Sequence, residues 1–333
     1  MNTFYKRVLS AQILCFLTFL VSCNSSPLPK EPPKEEGNTP KSVLIINSDQ
    51  SVKKYALIHE AFKSKLSADA PSIKIEEINL ADIFSVDTIK RRIGIFQRPD
   101  IIHAIGSDAY ELAKDAVQNT MTNKKPVIVF SGIFDWHRFE KDMGSKTYGM
   151  ALELPADLQL ILIMDIFPNM STLGVLYSQP HNQKWFEETR SEAEEMELSL
   201  RGKIIGSSND ISNALAELIP HVDAIWLIPD PIVLKYKQNV STIFQQASAQ
   251  QKPILTYAKS EKHDAVLILQ AKLSTIGEQL AGSVKNILKT GDIPKNVQEP
   301  SGSRVLLNKK KAIEYGIEIT DDPDILSEVE LIE

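Results

Sequence analysis

From Ser42 onward the chain repeats one device: a short apolar run, then a longer stretch with apolar residues every three or four positions. Ser42–Asn47, Ile73–Asn79, Ile101–Ile105 and Pro126–Ser131 read as buried strands. Between them, Val52–Leu66 places Tyr55, Ile58, Phe62 and Leu66 on one helical face. Ser107–Val117 repeats the pattern, with Ser107 or Asp108 as the expected cap and Glu111 at capping-box spacing from Asp108. The cycle restarts further on. Leu173–Tyr177, Lys203–Gly206, Ala224–Ile228, Ile254–Tyr257 and Ala265–Leu269 are expected strands. Pro155–Phe167, Asn182–Leu200, Asp210–Ile219 and Pro231–Gln250 are the expected helices between them. Alternation of this kind implies an α/β fold with parallel sheets covered by helices on both faces. Two runs of comparable length imply two lobes. A helix over Leu273–Leu288, a strand near Val305 and a helix over Asn308–Tyr315 follow, as an appendage that can return to the first lobe and cross again.

The N-terminal part is of another kind. Lys6 and Arg7 precede an uncharged apolar run, Val8–Val21, which is short for a membrane span and suits the core of a signal peptide. It ends in Leu20-Val21-Ser22-Cys23, which resembles the lipobox of bacterial lipoprotein signals and implies a lipid on Cys23. Residues 1–22 are therefore expected to be a removed signal, and 23–40, rich in proline, charge and small polar residues, a disordered tether. Cys15 falls inside the signal, so the mature chain has no cysteine pair for a disulfide. The body would face the periplasm or the exterior, anchored to a membrane through the lipid. The formal charge of −6, with lysine and glutamate interspersed, offers no basic stripe for nucleic acid.

The order of segments over Lys41–Glu333 is similar to the ABC transporter substrate-binding protein family, a type I periplasmic-binding fold. Lys125–Ser131, Leu173–Tyr177, Val222–Trp226, Ile287–Pro294 and Asn308–Ile317 carry the resemblance. It implies two Rossmann-like lobes hinged by three crossovers, near Met150–Leu154, Leu269–Lys272 and Glu299–Ser303. Lobe 1 would be 41–150 plus 272–300, and lobe 2 would be 151–271 plus 301–333. It also implies a monomeric receptor that binds a small molecule, such as an amino acid or aromatic compound, between the lobes. Hinge closure would then signal occupancy to an ABC permease. Where relatives often carry Asp-Asn-Thr, this chain has Asp230-Pro231-Ile232; Ser178-Gln179 replaces an expected Asn-Pro, and Gln270-Ala271-Lys272 lacks the expected glycine and tyrosines. Substrate identity is thus not inherited. The thinned polar loops of the second lobe also favour another reading, an envelope lipoprotein that uses the fold for protein interaction or ligand sensing.

In parallel sheets ligands bind beyond the carboxyl ends of the strands. Those ends nominate Ser48 and Gln50, Gly106 and Ser107, and Phe134, Asp135 and Trp136 in the first lobe. In the second they nominate Ser178, Asp230 and Tyr257. Gly106 would let a ligand approach the backbone and Ser107 offers a hydroxyl. Asp135 could pair with an ammonium group, and Phe134 and Trp136 could sandwich an apolar ligand. Asp230, between two prolines, suits a ligand contact or a hinge; Trp226 reads as core. No catalytic motif is present: there is no Gly-x-Ser-x-Gly elbow, no phosphate loop and no Gly-x-Gly-x-x-Gly. The six histidines lack the paired spacing of zinc sites, and neither cofactor nor metal is expected. Glu192–Glu197 reads as a solvated helix face.

Overall fold

Strand β1 (Ser42–Asn47) is buried from Val43 to Asn47, so it belongs at the centre of a sheet covered on both faces. The computed structural model, which describes residues 40–82, 99–119, 125–134, 136–258, 265–295 and 297–332, places it there. The expected signal, Cys23, the tether up to Thr39 and Asp135 lie outside the described residues.

The first sheet adds β2 (Lys74–Asn79), β3 (Ile101–Ile105), β4 (Val127–Ser131) and β5 (Thr147–Gly149), in the order β2-β1-β3-β4-β5. All pairs are parallel, with Val43 beside both Ile75 and Ile101. Helices α1 (Lys53–Asp69) and α2 (Ser107–Gln118) follow β1 and β3. The second sheet contains β6 (Thr172–Tyr177), β7 (Ser199–Ile204), β8 (Ala224–Leu227), β9 (Ile254–Thr256), β10 (Leu267–Ala271), β11 (Ser303–Asn308) and β12 (Val329–Ile332). Its order β12-β11-β10-β9-β8-β6-β7 repeats that of the first sheet over β6 to β10 and adds two strands at the far edge. Interleaved with these strands are α3 (Ala156–Ile166), α4 (Gln179–Glu195), α5 (Ile211–Leu218) and α6 (Lys237–Ala249). Next come α7 (Leu273–Thr290), α8 (Lys309–Glu314) and α9 (Pro323–Ser327). The molecule is two α/β lobes, as the element order implies.

Several local expectations are corrected. The second sheet is not wholly parallel: β11 runs antiparallel to β10, because the chain re-enters this sheet from the opposite end. The expected helix over Asn182–Leu200 starts earlier and stops at Glu195, where Glu197 turns the chain with φ 62°, and β7 begins at Ser199. The helix expected from Pro231 begins at Lys237, since Asp230 holds the intervening residues in a turn. Neither Ser107 nor Asp108 caps α2. Its N-cap is Gly106 at φ 91°, and the Ala109 N–H is answered by the Ser48 hydroxyl at 3.1 Å.

Helix α7 lies between two strands of the second sheet yet packs on α1 of the first lobe, so the chain crosses three times. The crossing segments are tied to one another. Ala151 donates to the Gln298 carbonyl at 2.8 Å and Gln298 donates to Gly149 at 2.9 Å. Lys272 donates to Gly302 at 2.8 Å, next to the Ala271–Ser303 register. Among the described residues no helix is long and apolar enough to cross a membrane.

Candidate functional site

In a sheet of order 2-1-3-4-5 the chain winds in opposite directions from the first and third strands, and a crevice opens between the loops that leave them. Here both crevices are bridged by the chain's own side chains. In the first lobe, Ser48 follows β1, and its hydroxyl accepts from Ala109 at the start of α2. A Cβ on Gly106 would meet Ser48 Oγ at 2.5 Å and Tyr55 Cζ at 2.9 Å, so the space beside this glycine is already filled. The Gln50 backbone N–H donates to the Asn79 amide oxygen and its side-chain amide pairs with His59 at 3.0 Å, while the Ser107 hydroxyl accepts from Arg138 at 2.7 Å.

The second lobe repeats the arrangement with a charge. Asp230 Oδ2 accepts from the Ser178 N–H at 2.7 Å, the Ser178 hydroxyl at 2.8 Å and the Asn182 amide at 2.8 Å. Its Oδ1 accepts from the N–H groups of Ile232 and Val233, both at 2.9 Å. Asp230 is 2% exposed. Burial alone would raise its carboxyl, but the N–H of Val233, the Asn182 amide and both Ser178 donors outweigh it and hold the pKa below the usual 3.8. Ser178 and Asp230 are thereby committed to each other and shape the loop.

The open space lies beside these bridges, towards the crossing segments: a cavity of about 370 Å³. That volume falls in the range of small-molecule sites, roughly 300–1,000 Å³. Of the nominated residues, the structure brings Trp136 and Tyr257 to its wall. Helix α4 contributes Trp185, Glu188, Thr189 and Glu192, spaced three and four apart so that one stripe faces inward. The first crossing segment and the start of α3 bring Glu153 and Asp157, and the third brings Val297 and Glu299. The floor is Leu227–Pro229, at the carboxyl end of β8.

Three aromatic rings, Trp136, Trp185 and Tyr257, line the cavity. Trp136 stacks on His137 with centroids 3.9 Å apart, and Trp185 meets the buried Trp226 edge-on at 5.4 Å. Phe134, after β4, meets Tyr257, after β9, at 5.3 Å, a contact between elements of the two sheets. The Lys54 ammonium sits 4.6 Å from the Phe134 centroid and 4.7 Å from that of Tyr55. Burial, with Glu153 nearby, pushes the Tyr257 hydroxyl up to about 12, so it stays a neutral donor.

Strand-end reasoning missed the acidic members of this wall. They sit on crossing segments and on a helix face, where glutamate ordinarily means solvent. The available signal was the spacing of Trp185, Glu188 and Glu192, which places a large apolar ring and two carboxylates on one stripe. Among the described residues no group of three histidine, cysteine, aspartate or glutamate side chains is placed to hold a metal ion.

No curated protein matches the chain in sequence. Solved structures do. An ABC domain from Streptococcus pneumonia in complex with L-Trp is 23% identical over 88% of this chain and 100% of its own, with a TM-score of 0.57. A conserved domain protein from Vibrio cholerae is 20% identical, covering 89% of this chain and 100% of its own, with a TM-score of 0.56. A ligand-free, open substrate binding protein with adhesive properties from Clostridium difficile is 16% identical over 88% and 99%, with a TM-score of 0.66. The profile of the family described as ABC transporter substrate binding protein matches residues 42–328, and with two parallel-wound lobes around a walled cavity the chain belongs to that family.

Proposed function

We propose that the chain is a lipid-anchored, monomeric receptor that captures a small molecule between its lobes and presents it to the permease of an ABC importer. The observation that carries this reading is the cavity itself. Its wall joins Trp136 and His137, which follow the last long strand of the first sheet, to α4 and the β8 and β9 ends of the second, with two crossing segments beside them. A ligand there touches both lobes only when they are close, and that differential contact is what can shift a hinge equilibrium. The lobes divide as 41–150 plus 272–300 and 151–271 plus 301–333. Trp136 and Tyr257 contact the ligand. Phe134, set against Tyr257, belongs to the same face, and Asp135, next to it in the sequence, is a further ligand contact in this reading. Ser48, Gln50, Gly106, Ser107, Ser178 and Asp230 set the loops from which that face is built.

The chain carries its own reporter. Two of its three tryptophans, Trp136 and Trp185, line the cavity, and the third, Trp226, touches Trp185. Titrating the soluble body with amino acids, amines, purines, peptides and sugars is expected to change tryptophan fluorescence for one class. A ligand at a hundred times its dissociation constant should add about 2.7 kcal/mol of stability. Silence across all classes would favour the protein-interaction reading, to which the internally bonded Ser178–Asp230 loops already lend support. For the anchor, Cys23→Ser is expected to move the protein from the membrane to the soluble fraction of its host, as mass spectrometry and fractionation would show. A Cys23→Ser protein that stays membrane-bound would remove the lipid from the reading.

A further inference from the structure

We infer that the molecule held in the cavity is an organic cation, an amine or ammonium group joined to an apolar or aromatic body. This rests on the receptor reading above and adds the sign of the ligand's charge.

Besides Glu153, which has its own partners, the cavity wall carries four carboxylates, Asp157, Glu188, Glu192 and Glu299, and among its described residues no lysine or arginine. Asp157, Glu188 and Glu299 are exposed, and Glu192 is half-buried. The charges act on one another. Glu192 is held above its ordinary 4.5, first by burial, then by Asp157, Glu188, Glu195 and Glu299. Glu153 is answered by Lys54, whose ammonium is also set against the Phe134 and Tyr55 rings. An anion entering this space would meet repulsion from several sides, whereas a cation relieves the repulsion already present.

Three further features restrict the cation. The carboxylates are spread around the wall, and no described group of three can hold a metal, so the charge must arrive on something larger than an ion. Trp136, Trp185 and Tyr257 provide ring faces, which attract ammonium groups and cover apolar carbon at small entropic cost. A zwitterion would need an answer for its carboxylate. The start of α3 faces the cavity, but there Asp157 already accepts from the Leu158 N–H at 2.7 Å and places its own negative charge at that helix end. The ligand that fits is cationic without a compensating acid.

The test uses indole compounds of similar size and different charge: tryptamine, tryptophan, indole and indole-3-propionate. Choline and spermidine serve as non-aromatic cations and glucose as a neutral control. The soluble body, residues 24–333 with Cys23 removed, is followed by tryptophan fluorescence for the non-indole compounds and by calorimetry and thermal shift for all. At least one cation is expected to bind, more than ten-fold tighter than any anionic or neutral member, with affinity falling as salt rises. Glu192→Gln and Glu299→Gln are each expected to weaken that cation on the order of ten-fold. Glu192→Gln also controls for folding. Its raised pKa means the ligand-free fold loses stability as pH climbs through that value, so the variant should melt higher than the parent at neutral pH and equally below pH ~4. Preferred binding of an anion, a neutral compound or tryptophan, unaffected by these substitutions, overturns the inference and leaves the receptor reading intact. Silence to every compound here and to the broader classes above overturns both.

Discussion

Asp230→Ala is expected to lose about 3–5 kcal/mol of stability in chemical denaturation, because five donors lose one buried acceptor group together. The Ser178 N–H and hydroxyl, the Asn182 amide and the Ile232 and Val233 N–H groups all point at this carboxylate. With 2% exposure at the site, water reaches the freed donors only after the loop opens. Asp230→Asn keeps the shape and one acceptor but turns an N–H₂ towards donors, so its loss should be smaller and still clear. The pH dependence has a fixed sign. The folded pKa lies below the usual 3.8, so this stabilisation is complete above the ordinary aspartate range and disappears as pH falls below it. Parent and Asp230→Ala curves should therefore differ at neutral pH and converge only under strong acid. A loss under 1 kcal/mol would mean that the loop is held by its apolar neighbours and not by this carboxylate.

How much of this was legible in the sequence depends on whether a feature is local. The central strands were readable because they are buried on both faces: Ile101–Ile105 and Ser42–Asn47 are mostly apolar and emerge with their expected bounds, whereas the more exposed β7 emerges at Ser199–Ile204 in place of the expected Lys203–Gly206. The resemblance to substrate-binding proteins rests on that framework, and the framework sets the winding order. Helix ends were less legible. The cap of α2 comes from Ser48, far away in the chain, and no local capping box could announce it. The Pro231–Tyr236 turn looked helical because its apolar spacing is helical, and only the two bonds to Asp230 decide otherwise. The cavity was half-legible. Trp136 and Tyr257 stand at strand ends, where ligands bind in this architecture, and were nominated for that reason. Glu153 and Glu299 lie in crossing segments that the sequence could place but not orient. Glu192 looked like solvent-facing charge, and only the packing of α4 shows that its stripe includes Trp185 and faces inward.

The same contrast between local and distant causes gives the second large effect. Alanine normally stabilises a helix relative to glycine, by about 1 kcal/mol. Gly277 in α7 should behave in the opposite way. A Cβ there would stand 2.5 Å from the Ile58 carbonyl oxygen and 2.7 Å from the Phe62 nitrogen, both backbone atoms of α1, with Ala61 Cβ at 2.9 Å. Backbone cannot rotate aside as a side chain can, so the two helices must separate along the seam that buries Ile58, Phe62, Ile276 and Leu280. Gly277→Ala is expected to cost about 1–3 kcal/mol and Gly277→Val more, despite the favourable propensity term. The control lies one turn and a half along the same helix. Gly282 has nothing within 4 Å of its absent Cβ, so Gly282→Ala should gain about 0.5–1 kcal/mol. Because α7 links the second and third crossing segments, the Gly277 variants should also weaken ligand binding, while Gly282→Ala leaves it unchanged. Equal denaturation midpoints for Gly277→Ala and Gly282→Ala would show that α1 and α7 do not meet this closely, and the tie between the seam and the cleft would fall with it.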